Sequence, residues 1–127
     1  MSLVGFFDIL GTRESVMSDR FSDTDILEFV NVIGVAAGFT PHVRFVVFSD
    51  SLIVVAEPAE IPLLLRAVNF MYGNWFSELV YVRAAISCGD VHWVDDTSCD
   101  KPFRRLPNLV YTRIYGKGLV TAYQLEQ

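Results

Sequence analysis

Asp8 ends the apolar run Leu3-Val4-Gly5-Phe6-Phe7, and Asp50 sits in Ser49-Asp50-Ser51 between two runs rich in β-branched residues. An ionised carboxylate at the end of an apolar run is costly unless it is paired, caps a helix or binds a cation. Taken singly, Asp8 also fits a helix cap or the start of a turn, and Asp50 fits ordinary hairpin-tip chemistry. Together they carry more. If the first strand lies beside the hairpin in one sheet, the end of the one meets the tip of the other. Two carboxylates at one sheet edge repel unless a cation lies between them. Oxygen-only donors suit Mg2+ or Mn2+. The segment Ile9-Leu10-Gly11-Thr12-Arg13 then turns toward a helix, whose free N–H groups suit an anion. A divalent cation beside a helix start makes a triphosphate cradle.

The elements that must position these residues follow from periodicity. Leu3 to Ile9 is nearly continuous and apolar, as in a strand buried on both faces. Ile26, Leu27, Phe29, Val30 and Ile33 have helical spacing, with Asp25 and Glu28 as its capping pair and Gly38 as its end. Val43 to Phe48 and Leu52 to Ala56 form a hairpin with Asp50 at its tip. A second amphipathic helix runs from Ile61 to Leu79, with Pro62 in its first turn. Val82 to Cys88 and Val91 to Val94 read as strands, residues 95 to 107 as an exposed arm, Leu109 to Ile114 as extended, and Gly116 to Glu126 as a last helix. The order β, α, α, β, β, α, β, β, α predicts an α+β domain with a mixed, mainly antiparallel sheet and helices packed on it. The chain stops on a helix where such a domain normally returns another strand to the sheet, so either the fold is abbreviated, without C-terminal strands, or the C-terminus lies beyond this sequence.

With 127 residues, 52% hydrophobic and 20% charged, the chain forms one domain with one core and is not a disordered protein. Mean hydropathy is +0.37, yet no apolar run reaches the length of a membrane helix. The net charge of −5 and the lack of a basic stripe argue against a nucleic-acid polymer as partner. The start carries no signal-peptide pattern, which predicts a cytoplasmic protein. Its two cysteines then read as free thiols, Cys88 buried and Cys99 in a loop. Arg83 on its strand reads as a structural ion-pair partner.

Four segments resemble the class III nucleotide cyclases. Phe6-Phe7-Asp8-Ile9-Leu10-Gly11-Thr12 is similar to their first metal motif, and Phe48-Ser49-Asp50-Ser51 to their second, usually Gly-Asp on a hairpin. Val82 to Val91 resembles their Arg-x-Gly-Ile-x-x-Gly-x-Val strand and turn, and Tyr115 to Glu126 their last motif helix. The resemblance runs from about residue 4 to residue 126 and implies a ferredoxin-like catalytic domain over residues 1–127. It implies Asp8, Asp50 and the Ile9 carbonyl as ligands of two Mg2+ or Mn2+ ions. The backbone of Leu10, Gly11, Thr12 and Arg13 would hold the triphosphate. Two head-to-tail subunits would share each site, giving a C2 homodimer.

The departures narrow the substrate. Purine cyclases place a base-selecting lysine where this chain has Val46, and an Asp or small polar residue where it has Arg113. Arg113 donates only, which suits a uracil carbonyl or the acceptors of cytosine. Val120 and Gln124 stand where the family has its transition-state Asn and Arg; Tyr115 or Tyr123 could stack on the base. This set resembles the pyrimidine cyclases of bacterial Pycsar antiphage defence. Its implied reaction converts UTP, or CTP, to the 3′,5′-cyclic monophosphate and pyrophosphate, a messenger for a separate effector that the cyclase does not itself bind. The alternatives are a purine cyclase, a non-catalytic nucleotide-binding module of the same fold, and a plain dimerisation domain.

Overall fold

A computed structural model describes residues 1–11, 23–93 and 114–126, with 114 and 115 as backbone only. Its elements are β1 (Ser2–Ile9), α1 (Asp23–Phe39), β2 (Arg44–Phe48), β3 (Ser51–Ala56), a 3-10 turn (Pro58–Glu60), α2 (Ile61–Ser77), β4 (Val82–Gly89), β5 (His92–Trp93), β6 (Ile114–Tyr115) and α3 (Lys117–Glu126). The main sheet has the order β2-β3-β1-β4, and each of its pairings is antiparallel. Strands β5 and β6 pair separately. The succession β1-α1-β2-β3-α2-β4 in that order is the split βαβ, ferredoxin-like arrangement. The fold is α+β with an antiparallel sheet, as the sequence predicts.

Strand β1 lies at the centre and separates two packing layers. Phe7 pairs with Leu52 across β3, and both are fully buried under α1 and α2. Phe29, Val32, Ile33 and Ala36 of α1, and Leu64, Ala67, Met71 and Trp75 of α2, recur at helical spacing and fill this layer. Trp75 stacks on Phe29 with centroids 5.2 Å apart, and its Nε1–H donates to the Phe29 carbonyl at 3.2 Å. That bond removes the penalty of burying the indole nitrogen.

The opposite face of β1 carries Ser2, Val4, Phe6 and Asp8, and α3 covers it across β1 and β4. Tyr123 meets Phe6 edge-on at 5.2 Å, and Ser87 Oγ donates to the Gly118 carbonyl at 2.8 Å. The approach depends on two glycines. A Cβ on Gly89 would lie 2.5 Å from the Gly118 backbone, closer than packed atoms come.

Several local expectations need correction. Helix α1 starts at Asp23, so Asp25 lies in its first turn, where both carboxylates favour the dipole. It passes through Gly38 to Phe39; Thr40 then bonds the Ala36 carbonyl through Oγ1 at 2.7 Å, and Pro41 follows. Helix α2 ends at Ser77, and Leu79 turns the chain at φ 61°. Cys88 is exposed rather than buried, because β4 is the edge of the described sheet and its face away from α3 is open at Ala84, Ile86 and Cys88. The expected helix start at Thr12, the arm from residue 95 to 107 and most of the run from Leu109 lie outside the described residues.

Candidate active site

The hairpin turn consists of Ser49 and Asp50, with Phe48 and Ser51 as the closing pair. Ser49 takes φ 55°, as the primed turns of two-residue hairpins require at their first central position. Asp8 pairs with Ser51 across β1 and β3, which brings the end of β1 to the tip. The Ile9 N–H donates to the Asp50 carbonyl at 3.1 Å, and the Leu10 N–H to the Tyr81 carbonyl at 2.7 Å. The backbone after Asp8 is thus fastened on both sides.

The two carboxylates meet. Asp8 and Asp50 are within hydrogen-bond reach of each other, and the Asp8 side chain is about one-fifth exposed (21%). Burial first, then the charges of Asp50 and Glu126, push the Asp8 carboxyl up from 3.8 to about 6; Arg83 opposes them. Arg83 stands directly across from Asp8 in the β1–β4 register. Its Nη2 lies 3.6 Å from Asp8 Oδ2, and its Nε pairs with Glu126 Oε1. Asp8 and Glu126 therefore share one guanidinium while Asp50 adds a third carboxylate beside Asp8, and the surplus negative charge fits a cation. Among the described residues no group of three His, Cys, Asp or Glu side chains is arranged to hold a metal. Asp8 and Asp50 would need backbone, water or phosphate oxygens to complete a shell, as Mg2+ commonly does.

The other predicted site residues distribute unevenly. Leu10 does not bring a free amide to a triphosphate, because its N–H is already bonded to Tyr81. Gly11 is exposed at φ 73°, while Thr12, Arg13 and Arg113 lie outside the described residues. Val46 pairs with Ile53, which pairs in turn with Phe6, so it shares the Asp8 face of the sheet; it is half-buried. Gln124 and Val120 are exposed on α3, and the Tyr115 backbone pairs with His92. A cleft of about 630 Å³ runs along the start of α3, lined by Asp90, His92, Gly116, Lys117, Val120 and Thr121. That is room for a nucleoside-sized ligand.

Sequence reasoning missed that Arg83 and Glu126 join the carboxylates. Arg83 interrupts an otherwise apolar strand and was legible as an ion-pair partner. Its partners come from β1 and α3, and only the sheet register and the packing of α3 on the sheet reveal them.

No family model matches this chain, and no curated protein sequence does. Solved structures do match. A bacterial light-regulated adenylyl cyclase superposes with a TM-score of 0.65 at 10% identity, over 98% of this chain and 68% of that one. The guanylate cyclase domain of RhGC from Catenaria anguillulae, solved with GTP, gives 0.55 at 18% identity over 98% and 71%. The adenylyl cyclase CyaB from P. aeruginosa gives 0.57 at 16% identity over 98% and 70%. The common feature of these neighbours is the architecture described above, and this chain has the fold of the class III nucleotide cyclase domains.

Proposed function

We propose that residues 1–127 act as one pyrimidine nucleotide cyclase domain, converting UTP in preference to CTP to the 3′,5′-cyclic monophosphate and pyrophosphate. The observation that carries this reading is the meeting of Asp8 and Asp50 at the hairpin end of the sheet, in a cluster with surplus negative charge. The ribose 3′-oxygen forms the new bond to the α-phosphorus, the bond to the β-phosphate oxygen breaks, and the hydroxyl proton leaves to water. Two Mg2+ or Mn2+ ions, when bound, supply acidification of that hydroxyl and neutralise the departing pyrophosphate. Asp8, Asp50 and the Ile9 carbonyl would hold them. The remaining triphosphate contacts fall to Gly11, Thr12 and Arg13. Arg113 would read the base carbonyl, Val46 would leave room that a purine-selecting lysine fills, and Tyr115 and Gln124 would border base and ribose.

The site is proposed to be shared between two head-to-tail copies, each giving its carboxylates to one site and its α3 to the other. The product would act as a cytoplasmic messenger in antiphage defence on a separate effector. Among the described residues no helix is long and apolar enough to cross a membrane. The deciding experiment incubates purified protein with ATP, GTP, CTP and UTP in turn with Mn2+ and reads the products by mass. Cyclic UMP as the main product is expected. Cyclic AMP or GMP would establish the purine reading, which draws on the adenylyl and guanylate cyclases among the structural neighbours. Binding without pyrophosphate release would establish the non-catalytic reading, which draws on the uncharged Val120 and Gln124 exposed on α3.

A further inference from the structure

Arg83 serves two carboxylates unequally. Its Nε is held by Glu126, whereas its Nη2 is 3.6 Å from Asp8, beyond an ordinary charge-assisted hydrogen bond. The Glu126 carboxylate is fully buried in the last turn of α3, although the Arg83 side chain is 45% exposed. A carboxylate at that depth needs a firm partner. Helix α3 is itself fixed to the sheet by the Ser87–Gly118 bond and the Phe6–Tyr123 contact. Guanidinium groups close on carboxylates with two parallel bonds when nothing holds them back. Arg83 faces Asp8 directly in register and yet has not closed on it.

We propose that Glu126 is a positioning residue for Asp8, acting through Arg83: it draws the guanidinium onto α3 and so leaves the Asp8 carboxylate open to a divalent cation. This rests on the reading of Asp8 as a metal ligand. The arrangement works as a tether, so its length matters as much as its charge. Glu126→Asp keeps the charge and shortens the reach by one methylene. Glu126→Gln keeps the length and removes the charge.

The test is calorimetric titration of the full chain with Mn2+ in the absence of nucleotide, with Asp8→Asn as the baseline. Both Glu126 variants are expected to bind Mn2+ about tenfold more weakly than the wild type, as second-layer partners of metal ligands typically do. A Glu126→Asp chain that binds Mn2+ as tightly as the wild type would show that charge alone acts, and would overturn the tether. If the variants do not fold, the wild type still decides. With Mg2+ added, the Arg83 Nε–H resonance should persist and exchange slowly with water; its loss would mean that Glu126 has released the guanidinium. A wild type that binds no Mn2+ above the baseline removes the metal reading and this proposal together. Wild-type binding that is indifferent to Glu126→Asp removes this proposal alone.

Discussion

At the scale of single residues, the Asp8–Asp50 contact combines attraction to a cation with mutual repulsion. Asp8→Asn or Asp50→Asn keeps shape and removes charge, so each should leave the circular-dichroism spectrum intact and lower turnover about a thousandfold or more. Retained cyclase activity in either variant counts against the metal roles. Burial of the Asp8 carboxyl, and after it the charges of Asp50 and Glu126, makes the metal-free protein sensitive to pH. The folded Asp8 carboxyl titrates at about 6 against an ordinary 3.8, so the native state holds a proton that the unfolded chain releases. Its stabilising effect is complete below pH 3.8 and is lost as pH rises through 6, up to about 3 kcal/mol. After removal of divalent ions with EDTA, the melting temperature should therefore fall between pH 5 and 7.5 more in the wild type than in Asp8→Asn. Mg2+ or Mn2+ should restore it at pH 7.5. An equal fall in both proteins would rule out Asp8 as the source. Both aspartates were legible in the sequence, because carboxylates at the ends of apolar runs stand out. Glu126 was not: on a helix with mixed faces nothing marks a glutamate as buried.

At the scale of elements, the hairpin tip and the β4–α3 contact place the site, and each has a position where backbone outweighs side chain. Ser49 holds φ 55°, which costs a residue with a Cβ about 1–2 kcal/mol and glycine almost nothing. Glycine also loses more freedom on folding, so Ser49→Gly should stabilise the domain by about 0.5–1 kcal/mol in urea unfolding, with cyclase activity kept. No gain would mean that the turn is relaxed as it stands. At the other contact, Gly89→Ala would drive a methyl group into the Gly118 backbone, and α3 must move off the sheet. The expected loss is about 1–3 kcal/mol, read as a lower midpoint in the same unfolding experiment. Such elements were readable from the nearly continuous apolar run of β1, which has a layer on each face, and from the spacing of Leu64, Met71 and Trp75, because burial on one face of a helix writes its period into the chain. Helix ends were less readable. Asp23 and Asp25 both suit a helix start, and Gly38 is compatible with the helix that Thr40 and Pro41 end. The exposure of Cys88 was not readable at all, since it depends on how far the helices extend over an edge strand.

At the scale of the whole molecule, the question is whether one copy holds a complete site. Within a chain the carboxylate pair lies at the hairpin end of the sheet. Val120 and Gln124 stand exposed on α3, with Tyr123 half-exposed beside them and Leu125 exposed as well. In the shared arrangement these two sets serve different sites, and that gives a prediction independent of the chemistry of either. Asp8→Asn disables the metal side of a subunit; Arg113→Ala disables its base side, with an expected loss of about a hundredfold. Each variant alone has two damaged sites per dimer. In a mixed dimer both defects fall in one site, and the other site receives Asp8 from one subunit and Arg113 from its partner. Random exchange makes half the dimers mixed, so an equimolar mixture should recover about a quarter of the wild-type rate. Subunit exchange can be driven by dilution and reconcentration and followed by sedimentation. If the mixed dimers form and the rate stays at the level of the separate variants, each chain must complete its own site. A wild type that sediments as a monomer at micromolar concentration while fully active leads to the same conclusion.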